Sequence, residues 1–232
     1  MLKYYFNLSP NPMKVALLLE ELDLPYQAIP VDTRKGEQFS SSYLSINPNG
    51  KVPALVDGDA VIFDSNAILL YLGDKTGRFT PLPSDKARGE LLSWMMFIAS
   101  GMSPFSGQAV HFRHFAPETV PYAQNRYSYE AERHYRVLDD RLKDRRYLVA
   151  ETYTIADMAM WGWARVTPFV MGDDAWSKFP NLKRLVDEIN ERPAAIRAVG
   201  LKDKYNFKAE LDEEARRIMY PQNIRLYPNV AQ

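Results

Sequence analysis

The residues best suited to binding chemistry lie between positions 47 and 72, in the segment NPNGKVPALVDGDAVIFDSNAILLYL. Pro53 begins a short apolar run, and a proline is tolerated at the first position of a strand because the sheet does not need its missing N–H. The residue before it, Val52, is held extended. Its N–H and C=O are then free to pair with an extended ligand, as in an added strand. The segment therefore predicts a binding site for a short peptide.

A cluster of polar residues follows, at the start of the helical pattern 67–75. Asp64, Ser65 and Asn66 all favour helix N-termini, where free N–H groups and the helix dipole attract a carboxylate. The Asp64 carboxylate could also hold an ammonium group. One end of the ligand would thus be recognised as an amino acid. The alternative is purely structural: Asp64 and Ser65 cap a helix, and Pro53 shapes a turn.

Composition restricts the remaining possibilities. The 232 residues contain 29 Lys plus Arg and 29 Asp plus Glu, so no global charge favours nucleic acid or a membrane surface. No apolar run reaches the roughly 18 residues of a membrane span, and the first residues do not form a signal peptide, so we expect a cytoplasmic protein. With no cysteine, any thiol must come from the ligand. His111 and His114 are spaced to share a metal, but no third ligand lies nearby, and we expect no metal site.

The elements that must position these residues change in type near residue 77. Strands are predicted at 2–7, 26–31, 53–56 and 60–63, and helices at 12–23, 38–45 and 67–75. This β-α-β-α-β-β-α order is typical of an α/β domain of the thioredoxin-like type, with a right-handed crossover between the first two strands. Helices alone are predicted afterwards, at 86–110, 120–143, 154–166, 180–191 and 193–199. We therefore expect an α/β domain at 1–77, a linker at 78–85, an all-α domain at 86–201 and a C-terminal extension at 202–232.

Several segments resemble the glutathione S-transferase superfamily. NPNGKVPALVD followed by Asp64-Ser65, and the capping box TIAD at 154–157, match its two domains. In more detail, SPNPMKVALLLEE, KGEQF and the helix VPYAQNRYSYEAERHYRVLDDRL are similar to the Nu class and to the yeast prion-type (Ure2-like) bacterial transferases. The resemblance implies glutathione as co-substrate, a homodimer, and a thioredoxin-like domain followed by a helical bundle.

Roles for individual residues follow from this resemblance. It implies that Val52, before a cis Pro53, pairs with the cysteinyl part of glutathione, that Asp64 and Ser65 hold the γ-glutamyl part, that Gln38 and Lys51 hold the glycyl end, and that Arg126 binds the carboxylates of a second glutathione or an acidic substrate. Ser9 and Asn11 would face the sulfur, at a helix start that lowers a thiol pKa. Ser9 could instead be an ordinary loop residue and Asn11 a cap. Tyr4 and Tyr5 are alternative thiol partners, but both fall inside the predicted first strand.

The resemblance implies an enzyme that activates the thiolate of glutathione. Reduction of a small disulfide with two glutathione molecules is the main expectation, because the relatives do this without a cysteine of their own. Conjugation to an electrophile, or cleavage of an aryl ether, is the alternative, with Met102, Phe105 and Phe112 forming an apolar wall. A non-catalytic binding or regulatory module on the same fold is a third possibility.

Overall fold

The structure, a computed structural model, describes residues 1–81 and 84–223, without the side chain of Asp85. Its first half is a four-stranded sheet of β1 (Leu2–Phe6), β2 (Tyr26–Pro30), β3 (Ala54–Asp57) and β4 (Ala60–Phe63), in the order β2-β1-β3-β4. Strand β1 is parallel to β2 and antiparallel to β3. Leu2, Tyr4 and Phe6 alternate towards the core, as expected for a strand with one buried face.

Three α-helices accompany the sheet: α1 (Pro10–Leu22), α2 (Ser41–Leu44) and α3 (Ser65–Thr76). Helix α1 is the crossover between the parallel strands, and α3 begins directly after β4. This is the thioredoxin-like order that the sequence predicts. The expected helix at 38–45 is instead a 3₁₀ turn, Glu37–Phe39, followed by the single turn α2.

The second half is helical throughout the part that the structure describes. Its helices are α4 (Asp85–Phe97), α5 (Ser103–Val110), α6 (Pro121–Leu142), α7 (Ile155–Ala164), α8 (Thr167–Met171), α9 (Pro180–Asn190), α10 (Pro193–Val199) and α11 (Glu213–Met219). The predicted fold class, α/β followed by all-α, is confirmed. Of the proposed linker, residues 82–83 lie outside the described residues, and the division into domains stays a prediction.

The long helix predicted at 86–110 is interrupted by a π-helical turn, Ile98–Met102. Pro104 has no N–H to donate to the carbonyl of Ser100 and its ring would crowd that carbonyl, so a regular α-helix cannot continue there. The wider turn accommodates the proline. A second π turn, His111–Phe115, extends α5.

The two halves pack tightly where α1 meets α7. Gly162 allows this contact: a Cβ atom there would lie 2.4 Å from Cγ of Lys14 and 2.6 Å from the carbonyl oxygen of Pro10. The capping box at the start of α7 forms as predicted, with the buried Asp157 accepting from the N–H of Thr154 at 2.8 Å. The close approach at Gly162 holds the start of α1 against the helical half.

The C-terminal segment returns to the sheet. The N–H of Lys208 donates to Asp32 at 2.7 Å, and the Arg34 guanidinium donates to the carbonyl of Lys208 at 3.0 Å. The rings of Tyr205 and Phe207 stand edge-on against Phe6. The predicted extension contains the short helix α11, and its residues 224–232 lie outside the described residues.

Candidate active site

A cavity of about 1150 Å³ lies between the two halves of the chain. It is lined by the first loop, the start of α3, one side of α5 and the C-terminal segment. Such a volume is slightly larger than the roughly 300–1,000 Å³ typical of small-molecule sites. Five of the predicted site residues line it: Ser9, Asn11, Lys51, Asp64 and Ser65.

Asn11 has a fixed orientation in this cavity. The indole N–H of Trp163 lies 3.0 Å from its amide oxygen, and an indole can only donate. The amide oxygen therefore faces Trp163, and the amide nitrogen carries two N–H groups that have no partner among the described residues. At the first turn of α1, these donors can receive an anion or a thiolate.

Ser9 is already engaged within the first loop. Its N–H and its hydroxyl both reach Oδ1 of Asn7, at 2.9 and 2.6 Å, and Asn7 in turn donates to the hydroxyl of Thr33 at 3.2 Å. Ser9 precedes α1 in an extended conformation, and its side chain does not cap that helix. Its hydroxyl can donate to a ligand only by turning away from Asn7.

Neither of the two tyrosines named as alternative thiol partners lines the cavity. Tyr4 is fully buried and donates to the carbonyl of Pro12 at 2.5 Å. Burial raises the pKa of the Tyr4 hydroxyl well above its usual value. Tyr5 packs against the ring of Tyr43, with ring centres 5.8 Å apart, in a separate apolar cluster. A sulfur in the cavity can therefore meet Asn11, and Ser9 once its hydroxyl turns away from Asn7, rather than either tyrosine.

Asp64 and Ser65 lie where the sequence predicts, at the start of α3. Oδ1 of Asp64 accepts from the N–H of Asn66 at 2.8 Å and of Ala67 at 3.2 Å. Asp64 therefore caps α3, as the structural alternative predicted. Its side chain is nevertheless exposed, and Oδ2 has no partner among the described residues. Asp64 has φ of 71°, an unusual value for a residue with a side chain, and such backbone conformations cluster at ligand sites.

Lys14 lies beneath Ser65 and was not predicted from the sequence. Its side chain is fully buried, and its ammonium nitrogen lies 2.9 Å from the hydroxyl of Ser103 and 3.4 Å from that of Ser65. Burial lowers the pKa of the Lys14 ammonium to about 7, against an opposing effect of the Asp64 carboxylate. The available sequence signal was a single charged residue inside the apolar run at 12–19.

The loop before β3 is held by a side chain from α2 and by one from the loop itself. The carbonyl of Lys51 accepts from Asn47 at 2.6 Å and from the Tyr43 hydroxyl at 2.7 Å. The Val52–Pro53 peptide bond is cis. Within residues 1–81 and 84–223, neither the N–H nor the C=O of Val52 has a hydrogen-bond partner. Val52 therefore remains available for pairing with an extended ligand.

Two family models match the chain: the glutathione S-transferase N-terminal domain over residues 1–74 and the C-terminal domain over residues 103–193. The chain is 39% identical to the disulfide-bond oxidoreductase YfcG of Escherichia coli (strain K12), covering 92% of this chain and 98% of that protein. This chain is a glutathione S-transferase family member. Its relatives include a second disulfide-bond oxidoreductase of Escherichia coli (strain K12), YghU, and, among solved structures, Ure2p.

Two solved transferase structures are similar over most of their length. A Burkholderia graminis glutathione transferase with two glutathione molecules per subunit has a TM-score of 0.80, 33% identity, and coverage of 88% of this chain and 89% of that one. The Phanerochaete chrysosporium transferase URE2P8, with oxidized glutathione, has a TM-score of 0.82, 32% identity, and coverage of 88% and 95%.

The remaining predicted residues of this transferase do not line the cavity. Gln38 is buried, donates to the carbonyl of Thr33 at 3.1 Å, and has an amide oxygen without a partner among the described residues. Arg126 is half-exposed on α6 and pairs with Glu130 at 2.6 Å. Pro53 is buried. The chain as described does not bring Arg126 together with the first loop.

The expected apolar wall is formed by other residues. Met102 has no exposed surface, and Phe112 stacks on the ring of Tyr127, as Phe105 does more loosely. Aromatic side chains from α5, α8 and the C-terminal segment line the cavity instead: Phe115, Phe169, Tyr205, Phe207 and Tyr220. The prediction failed because it chose the apolar residues near 100–112 without knowing which face of α5 is buried.

Cationic side chains outnumber acidic ones around the cavity. The cations are Arg34, Lys51, Arg165, Lys202 and Lys208, and the acids are Asp32 and Asp64. Arg165 donates to the carbonyl of Leu8 at 3.3 Å, and its buried Nε has no partner among the described residues. The cavity therefore favours a ligand with several carboxylates.

In the described part of the chain, no three His, Asp or Glu side chains meet to hold a metal, and no helix is long and apolar enough to cross a membrane.

Proposed function

We propose that this transferase is a glutathione-dependent disulfide-bond reductase. The observation that carries the proposal is the Asn11 amide, which lines the cavity and which Trp163 orients so that both of its N–H groups have no partner among the described residues. At the start of α1 they are suited to hold the sulfur of glutathione as a thiolate. The name of YfcG, a disulfide-bond oxidoreductase, supports this assignment.

Glutathione would lie extended, with its cysteinyl backbone paired to Val52 and its γ-glutamyl end at Asp64 and Ser65. Lys51 would face the glycyl carboxylate. Gln38 would support the loop around the glycyl end from below, because its side chain is buried. Asn11 would hold the thiolate, joined by Ser9 once its hydroxyl turns away from Asn7. Glutathione in this pose uses Val52, the start of α3 and the first loop at once.

The reaction is thiol–disulfide exchange in two steps. The first glutathione thiolate attacks one sulfur of the substrate disulfide, forming a mixed disulfide and releasing one thiolate. A second glutathione thiolate attacks the glutathione sulfur of that mixed disulfide, giving glutathione disulfide and a second released thiolate. Two glutathione thiols are oxidised, the substrate disulfide is reduced, and the two thiol protons end on the released sulfurs.

The cavity supports a second glutathione by its size and charge. Its volume of about 1150 Å³ and its excess of cations suit two tripeptides with several carboxylates. The Burkholderia graminis transferase is described with two glutathione molecules per subunit. The role of Arg126 in this second site stays a prediction, and it requires that side chain to leave Glu130.

Conjugation to an electrophile, or aryl-ether cleavage, is the second candidate. The aromatic wall of Phe115, Phe169 and Tyr220 favours it, because such rings would pack against an apolar substrate. The thiolate would be the same, and only the acceptor would differ. A homodimer and a cytoplasmic location are part of the proposal as well.

The proposal is tested by glutathione-dependent reduction of a dialkyl disulfide, coupled to glutathione reductase. Asn11→Ala removes the donors to the thiolate, and a hydrogen bond to a charged group contributes about 1.5–3 kcal/mol, so kcat/KM should fall about 10- to 100-fold. Asn190→Ala is a matched control, because Asn190 accepts from the indole of Trp161 at 2.8 Å and does not line the cavity.

The wild type and the Asn190→Ala variant should turn over well above the uncatalysed rate. If the wild type shows no turnover, the reductase function is wrong, and a screen of aryl halides and aryl ethers then tests the second candidate. If it also fails to bind glutathione, the chain is a non-catalytic module. Equal activity of Asn11→Ala and wild type would instead leave the reductase function standing and remove Asn11 from the thiolate site.

A further inference from the structure

A buried cation connects the two halves of the chain below the cavity. Lys14 extends from α1 along Gly162 of α7, where the absence of a side chain leaves room for its aliphatic part. Its ammonium ends between Ser65 at the start of α3 and Ser103 at the start of α5. Both serines line the cavity, and both are more than nine-tenths buried.

The direction of the hydroxyl protons follows from donor and acceptor chemistry. A lysine ammonium can only donate, so the Ser65 and Ser103 oxygens accept from Lys14. Each hydroxyl keeps one proton, which must point away from the ammonium. No acceptor for either proton exists among the described residues, and the cavity is the space that both residues face.

Other serines of the helical half behave differently. Ser93 and Ser100 each donate to the carbonyl four residues earlier, at 2.8 Å, as exposed helical serines commonly do. Ser106, one turn after Ser103, points its hydroxyl to Tyr135 at 3.3 Å. Ser103 makes neither kind of contact. Its hydroxyl proton is therefore available to a ligand.

We propose that Lys14, Ser65 and Ser103 form a carboxylate cradle to which both halves of the chain contribute. Lys14 is a positioning residue that fixes the two hydroxyls as donors, and Ser103 is a direct ligand contact from the helical half. The occupant is the α-carboxylate of the γ-glutamyl group, while Asp64 holds the neighbouring ammonium. The cradle rests on the proposed function, since glutathione supplies that carboxylate.

The electrostatics of Lys14 agree with an anionic occupant. Burial disfavours its charged form, and Asp64 is the charged group that opposes this effect. Ser103 on α5 and Gly162 on α7 bring no charge. A carboxylate above the two hydroxyls would stabilise the ammonium further, so ligand and lysine would each favour the charged form of the other.

The test measures dissociation constants by calorimetry for two ligands. One is S-methylglutathione, which has no thiol to titrate, and the other is S-methylated 4-aminobutanoyl-cysteinylglycine, which lacks only the α-carboxylate. The variants are Ser103→Ala, Ser103→Thr and Lys14→Met, and Ser106→Ala is the matched control. Ser103→Ala and Lys14→Met should each weaken S-methylglutathione about tenfold and leave the decarboxylated ligand unaffected. Ser103→Thr and Ser106→Ala should bind both ligands as the wild type does.

The outcomes separate the cradle from the proposed function. If Ser103→Ala weakens both ligands equally, or neither, while the wild type binds S-methylglutathione, the cradle is overturned and the glutathione function stands. A wild type that binds neither ligand overturns both. Should Lys14→Met fail to fold, the Ser103 variants still decide, since their effect depends on a carboxylate of the ligand.

Discussion

At the scale of single residues, ionisation of Lys14 links the site to the stability of the fold. Its ammonium has no exposed surface, and burial lowers its pKa to about 7. In the unfolded chain a lysine has a pKa of about 10.4. Between these two values the folded protein binds fewer protons than the unfolded one, so the contribution of Lys14 to stability rises with pH. Below pH 7 the folded protein holds a buried charge that its two serine partners only partly compensate.

We therefore expect the stability difference between Lys14→Met and the wild type to depend on pH. The variant cannot titrate at this position. Its free energy of unfolding, relative to that of the wild type, should therefore be highest near about pH 6, and this difference should decrease towards about pH 9. Urea unfolding at a series of pH values measures the difference, with the exposed Lys204→Met as the baseline. A difference that stays constant across this range would contradict the assigned ionisation.

The residues that the sequence did not reveal are those defined by distant partners. Asn11 was expected in the first loop, but its orientation depends on Trp163, 152 positions away. Ser103 is a candidate ligand contact only because Lys14, on another helix, donates a hydrogen bond to its hydroxyl oxygen. Caps and turns can be predicted from a short stretch of sequence, because the two groups of each hydrogen bond lie only two or three residues apart, as at Asp64. Pairing across the two halves leaves no such local pattern.

At the scale of elements, the order of strands and helices was predictable and the faces they bury were not. Strand β4 and helix α10 have the bounds that the sequence predicts. The break before α5 was missed, although Pro104 is its cause, because the apolar pattern continues across it. The break sets which face of α5 lines the cavity, and this is why the predicted apolar wall was wrong.

The approach of α1 to α7 gives an element-scale prediction. Gly162→Ala would place a Cβ atom 2.6 Å from the Pro10 carbonyl oxygen, and overpacking of this kind costs about 1–3 kcal/mol. Because α1 must shift, affinity for glutathione should fall as well. Gly89→Ala on α4 is the control: nothing lies within 4 Å of its Cβ position, and stability should rise by about 0.4–1 kcal/mol. Urea unfolding compares them, and equal stabilities of the two variants would show that α1 and α7 are not in close contact.

At the scale of the whole molecule, apolar side chains are exposed on both halves. Val61 and Phe63 share the outer face of β4, at 48% and 43% exposure. Leu92 and Met96, one turn apart on α4, are 38% and 49% exposed. Solitary exposed apolar residues are common, but pairs on one face of an element indicate a surface that another chain covers. One such face on each half suits a symmetric pair of contacts, sheet half to helical half.

We accordingly expect the protein to sediment as a homodimer in analytical ultracentrifugation. Phe63→Glu and Met96→Glu each place a charge in the apolar contact, and each should shift the protein towards the monomer, because burying an unpaired carboxylate is costly. Ile196→Glu is the control, since Ile196 is a single apolar residue, 61% exposed, on α10, and its variant should remain dimeric. Monomeric wild type would contradict the dimer itself. Dimeric Phe63→Glu and Met96→Glu would place the interface on another surface, and the pair of sheet and helix faces would then need a different explanation.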